Sequence, residues 1–70
     1  MNRLKLWRQQ RHLTQHVAAA QLGLGVSTYG LLEAGRLRPS SDQFRTLRAF
    51  FGQQADSLFE EVRERVEVPA

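Results

Sequence analysis

The 70-residue sequence has no cysteine, which excludes disulfide bonds and thiolate metal sites. No apolar run approaches the roughly 18 residues of a membrane-spanning helix, and the N-terminus lacks the apolar stretch of a signal peptide. Internal repeats, low-complexity tracts and alternating strand patterns are also missing. We therefore expect one small helical domain located in the cytoplasm.

Patterns typical of catalysis are absent as well. The sequence contains no Ser/His/acid arrangement and no phosphate-binding glycine loop. His12 and His16 lie four residues apart, but a predicted helix break separates them and the sequence offers no third ligand. We predict that the chain is not an enzyme and uses neither a cofactor nor a metal.

Acidic residues are scarce in most of the chain. Residues 1–55 carry eight Lys/Arg against Glu33 and Asp42, a balance of +6, whereas residues 56–70 carry a balance of −3. A basic body with an acidic end is typical of a polyanion-binding face, and ordinary solvated charge is the alternative.

Apolar side chains recur at helical spacing and predict five helices. Thr14 and Ser40 are good N-caps, and Ser40 with Gln43 forms a capping box. His12 is placed to end the first helix in a left-handed conformation, and Gly23 to end the second. The predicted helices cover residues 2–11, 14–22, 26–34 and 40–51, and a fifth begins between 54 and 57 and includes Leu58, Phe59 and Val62.

The stretch 14–40 predicts two short helices that cross closely. Ala19 is small enough for the second and third helices to approach, and Gly23 bends the chain between them. Leu32 places one face of the third helix in the core and leaves the other exposed. Glu33 then points toward the first helix, where Arg8 offers a bidentate partner.

These residues resemble the Cro and repressor-type helix-turn-helix family, the lambda-repressor-like or XRE domains. The similarity runs without gaps from Leu4 to about Phe59. It implies an all-α, compact five-helix lambda-repressor-like domain over residues 1–60. The charge pattern then leaves residues 61–70 as an acidic C-terminal tail, which we expect to serve self-association or a partner. The resemblance rests on Leu4-x-x-Trp7-Arg8, Leu13-Thr14-Gln15, Ala19, Leu22-Gly23-Leu24, Tyr29, Leu32-Glu33-Ala34-Gly35 and Pro39-Ser40.

The same resemblance implies roles for individual residues. Gln15, Arg36 and Arg38 would contact DNA phosphates, and Arg8 with Glu33 would form a structural ion pair. The partners implied are a palindromic double-stranded operator and a second copy of the chain. Base readout would fall to Val26, Ser27, Thr28 and Leu31. Apart from the resemblance, the apolar residues near the C-terminus are our candidates for dimer contacts: Leu58, Phe59, Val62, Val66 and Val68.

The third helix departs from the family pattern. It lacks the Gln, Arg or Asn side chains that make bidentate contacts with bases, and Gly30 lies in its interior. Two interpretations remain open. In the first, which we favour, apolar side chains touch thymine methyl groups, and hydroxyls and DNA shape supply the rest of the specificity. In the second, the exposed face of the third helix binds a protein.

The resemblance implies a sequence-specific transcription regulator of a prokaryote or phage, associated with the nucleoid. Repression is expected rather than activation. The alternative is the antitoxin of a toxin–antitoxin pair, which would bind a protein toxin through its acidic tail and regulate its own operon.

Overall fold

The computed structural model describes residues 1–62. Within that range the chain forms four α-helices and a 3₁₀ helix, with an isolated bridge between Asn2 and Glu61 in place of any β-strand. The all-α class is confirmed. The α-helices are α1 (Arg3–Gln10), α2 (Gln15–Leu22), α3 (Val26–Glu33) and α4 (Ser41–Phe51), and the 3₁₀ helix covers Gly52–Ser57.

Polar side chains cap three of the four α-helices at their first turn. The side chains of Asn2 and Thr14 accept hydrogen bonds from the backbone N–H groups of Lys5 and Val17. Ser40 and Gln43 form the reciprocal capping box expected from the sequence. Each cap satisfies a backbone donor that the helix cannot pair internally. The helix boundaries therefore follow from local chemistry.

One continuous core lies between the helices. Leu4 of α1, Tyr29 and Leu32 of α3 and Leu47 of α4 are fully buried. Small residues let the helices approach each other, and half-buried aromatic rings cover the outside of the core. The remaining buried apolar residues are Ala18, Ala19, Leu22, Ala55 and Leu58.

The predicted fifth α-helix is wrong for residues 54–62. The chain does not continue as an α-helix after Ser57, whose hydroxyl donates back to the carbonyl of Gln54. The following backbone bonds to the start of the chain: Leu4 N–H donates to the Leu58 carbonyl, and Val62 N–H donates to the Met1 carbonyl at 2.7 Å. Backbone groups paired in this way are not available for helical hydrogen bonds.

Aromatic rings pack where α1 meets α4. Trp7 makes edge-to-face contacts with Phe50 and Phe51 at centroid distances of 5.7 and 5.2 Å, and the guanidinium of Arg11 lies 5.8 Å from the Trp7 ring. This packing positions α1 against the core. Within residues 1–62, no helix is long and apolar enough to cross a membrane.

Candidate nucleic-acid interface

A tight turn seats α3 across α2. Gly23 ends α2 in the left-handed conformation, with φ of 71°, which an L-residue with a side chain rarely adopts. Leu24 N–H then donates to the Ala19 carbonyl at 2.9 Å. Ala19 is buried, and its single methyl group leaves room for α3. This arrangement defines a helix-turn-helix unit.

The helix α3 buries one side and exposes the other. Tyr29, Leu32 and Glu33 lie inside, whereas Ser27, Leu31 and Ala34 are exposed. The exposed residues recur at the spacing of one helix face, with Gly30 between them. We call Ser27, Gly30, Leu31 and Ala34 the outer face of α3.

Two of the predicted base-reading residues are less accessible than expected. Val26 is half-buried and packs against the core, because it lies one turn before the buried Tyr29 on the same side of α3. Thr28 is also half-buried. Ser27 is exposed, and Leu31 is 43% exposed although it is a large apolar residue.

A buried carboxylate connects the three helices of this region. Glu33 of α3 accepts two hydrogen bonds from Arg8 of α1, from Nε to Oε2 at 2.6 Å and from Nη2 to Oε1 at 3.2 Å. Gln15 of α2 donates from Nε2 to Glu33 Oε1 at 3.0 Å. Arg8 also donates to the Leu13 carbonyl, between α1 and α2. The structure thus brings Arg8 and Glu33 together and adds Gln15 to the pair.

These contacts keep Glu33 ionised in the folded protein. Burial alone would raise the pKa of Glu33, but its hydrogen bonds, above all those from Arg8, and the charge of Arg8 hold it below its ordinary value. The hydrogen bond to Glu33 in turn raises the pKa of Arg8. Burial raises the pKa of Tyr29, whose hydroxyl has no hydrogen-bond partner among residues 1–62. The cluster therefore holds a full charge pair at neutral pH.

The side chain of Gln15 lies beside Gly30, at the edge of the outer face of α3. A Cβ built on Gly30 would sit 3.7 Å from Gln15 Oε1, in ordinary van der Waals contact. Since one Nε2–H is donated to Glu33, the orientation of the carboxamide is fixed and a second N–H remains to be donated. Gln15 is thus a pre-oriented donor at the edge of the outer face.

The two predicted phosphate-contacting arginines lie in the loop after α3. Gly35 turns the chain with φ of 75°, and Arg36 N–H donates to the Leu31 carbonyl at 3.0 Å. The side chains of Arg36 and Arg38 are exposed. Neither arginine has an ion-pair partner within residues 1–62, unlike Arg48, which pairs with Asp56. Their charge is therefore available to an external anion.

The predicted dimer residues divide into three groups. Leu58 is 3% exposed and belongs to the core, so it cannot serve as a contact surface without unfolding. Phe59 and Val62 are half-buried, and Phe59 lines an open groove with Leu37 and Pro39. Val66 and Val68 lie outside the described residues.

Two residues near α3, Asn2 and Lys5, were not predicted from the sequence. The buried side chain of Asn2 donates from Nδ2 to the Leu32 carbonyl at 2.9 Å and so ties α1 to α3. Its N-cap preference is visible in the sequence, but its tertiary contact is not. Lys5, one turn later, lies beside Gln15 and Ala34.

The chain matches the family described as a helix-turn-helix domain over residues 2–62. Because the match covers most of the chain, the protein belongs to this family. No curated protein and no solved structure matches the chain. Family membership and the seating of α3 indicate a DNA-binding transcription regulator.

Proposed function

We propose that the protein binds double-stranded DNA sequence-specifically, with α3 in the major groove, and acts as a repressor by occupying its site. The observation that carries the proposal is the exposure of the outer face of α3. On its buried side, α3 is tied to α2 by the turn at Gly23 and to α1 by the Arg8–Glu33 pair. An exposed helix of this kind fits the width of the major groove.

Sequence readout would come from a few small contacts. Ser27 and Thr28 offer hydroxyls to base edges, and Leu31 offers an apolar surface to thymine methyl groups. No side chain of α3 can make the bidentate base pairings worth about 1–3 kcal/mol each. We therefore infer that DNA shape supplies part of the specificity.

Affinity would come from phosphate contacts. Gln15 lies beside Gly30 of the outer face, and the exposed Arg36 and Arg38 lie in the loop after α3; together they would provide hydrogen-bond donors and positive charge. Each neutralised phosphate adds about −0.9 to the slope of log affinity against log salt. The two arginines alone therefore predict a slope of about −1.8.

A homodimer on a palindromic site completes the proposal. Phe59, Leu37 and Pro39 line an open groove with a volume of about 500 Å³ next to Arg38, at the end of the phosphate-contacting loop. A second copy packed there would place two α3 helices on half-sites about 10 bp apart. The antitoxin alternative stays a prediction, because most of the acidic tail lies outside the described residues.

Selection of binding sites from random duplexes, performed at two salt concentrations, tests the proposal. We expect enrichment of a sequence made of two half-sites about one helical turn apart. The double variant Ser27→Ala, Thr28→Ala should bind with similar overall affinity but reduced preference for the selected sequence, because it loses base contacts and keeps phosphate contacts.

The matched control is Ser41→Ala with Thr46→Ala, which removes two hydroxyls from α4 and should leave the preference unchanged. Absence of any enriched sequence for the wild-type protein would contradict specific binding. Unchanged preference in the Ser27 and Thr28 variant would contradict direct readout by α3.

A further inference from the structure

A small cleft lies beside the outer face of α3, where α1 and α2 meet it. Its volume is about 90 Å³. Sites for small molecules and cofactors usually measure about 300–1,000 Å³, so this cleft has room only for a group about as small as a phosphate. We call it the Lys5 cleft, and its walls are Lys5, Gln15, Gly30, Glu33 and Ala34.

The cleft borders the surface that would face DNA. Gly30 and Ala34 belong to the outer face of α3, and their small size keeps the cleft open on that side. When a helix enters the major groove, its flanks come close to the sugar–phosphate backbone. DNA bound to the outer face would therefore bring a phosphate to the Lys5 cleft.

The charges around the cleft favour an anion. Arg8 already neutralises the Glu33 carboxylate through two hydrogen bonds. The Lys5 ammonium has no ion-pair partner within residues 1–62. Gln15, fixed by Glu33, has one further N–H to donate. The cleft thus combines one uncompensated positive charge with one oriented donor.

We propose that the Lys5 cleft binds a single phosphate of the DNA backbone, with Lys5 supplying the charge and Gln15 a hydrogen bond. The proposal rests on the proposed DNA-binding function and extends the interface to α1. Glu33 acts as a positioning residue, because it orients the Gln15 carboxamide.

The test is the salt dependence of binding to a mixed-sequence duplex of about 30 bp, long enough for two half-sites. The operator need not be known, because phosphate contacts do not depend on sequence. Lys5→Gln should make the log–log slope about 0.9 less steep and weaken binding about eightfold at 0.1 M salt. Lys5→Arg should keep the wild-type slope, because it retains the charge.

The matched control is Arg3→Gln, which removes the same charge from the same helix. Arg3 is exposed and lines a groove with Trp7, away from α3. The log–log salt slope of Arg3→Gln should stay close to that of the wild-type protein. Circular dichroism of each variant checks that α1 still folds.

The outcomes separate the two proposals. A wild-type protein that binds no duplex at low salt would overturn both. Salt-dependent wild-type binding with an unchanged slope in Lys5→Gln would overturn only the Lys5 cleft. The Lys5 cleft would also be overturned if Arg3→Gln reduced the salt slope as much as Lys5→Gln does. The same holds if Lys5→Arg failed to keep the wild-type slope. Either result would show that Lys5 makes no local phosphate contact.

Discussion

Replacing Glu33 by glutamine tests how α3 is held. The substitution keeps the shape of the side chain but removes the charge that accepts hydrogen bonds from Arg8 at 2.6 and 3.2 Å. Arg8 would then be left partly buried without a counter-ion. Removing one partner of a buried ion pair costs about 3–5 kcal/mol.

The exposure of the two side chains decides where in that range the cost falls. The side chain of Glu33 is 3% exposed, but that of Arg8 is 16% exposed and can recover some hydration. We therefore expect a loss of about 3 kcal/mol in the free energy of unfolding, the lower end of the range. At about 0.05–0.15 kcal/mol per residue, a chain of this length has only about 4–10 kcal/mol in total.

The assay is urea unfolding followed by the fluorescence of Trp7, the single tryptophan, which packs against the core. In thermal unfolding, the same loss of about 3 kcal/mol would lower the Tm by about 20 °C, because the unfolding entropy is about 2.1 cal/mol/K per residue. Glu60→Gln, at an exposed position, is the matched control and should change stability by less than about 0.5 kcal/mol. A loss below about 1 kcal/mol in Glu33→Gln would refute the role assigned to the ion pair.

Two further predictions concern the same region. Because the pKa of Glu33 is lower in the folded than in the unfolded chain, its contribution to stability is present above about pH 4.3 and is lost as the pH falls through the folded pKa. Urea midpoints measured across this range should fall less steeply for Glu33→Gln than for the wild-type protein, and equal slopes would contradict the shift. Gly30→Ala should raise the free energy of unfolding by about 1 kcal/mol, because glycine disfavours a helix interior and the new methyl group would meet only Gln15, at ordinary contact distance. A lower urea midpoint in this variant would show that the Gln15 side chain cannot accommodate it.

Local chemistry made much of the fold predictable. Thr14 and Ser40 cap helices in the way their side chains favour, and Gly23 turns the chain where a positive φ is needed. His12 takes the left-handed conformation expected after the first helix, with φ of 57°. In each case the decisive contact lies within a few residues, so a sequence pattern can indicate it.

Features that depend on distant contacts were not predictable. Residues 58–62 have helix-forming spacing, but their backbone bonds to residues 1–4 instead. Local preference is a weak prior, and tertiary pairing overrides it here. The burial of Asn2, the partial burial of Val26 and the position of Lys5 beside α3 depend in the same way on packing between separate helices.

The central claim is that the outer face of α3 meets DNA. Amide NMR of the labelled protein, titrated with a mixed-sequence duplex at low salt, tests it most directly. We predict that the largest shift changes fall at Ser27, Leu31 and Gln15, while Phe50, on the aromatic surface between α1 and α4, changes little. Changes concentrated around Phe50, with α3 unaffected, would contradict the claim.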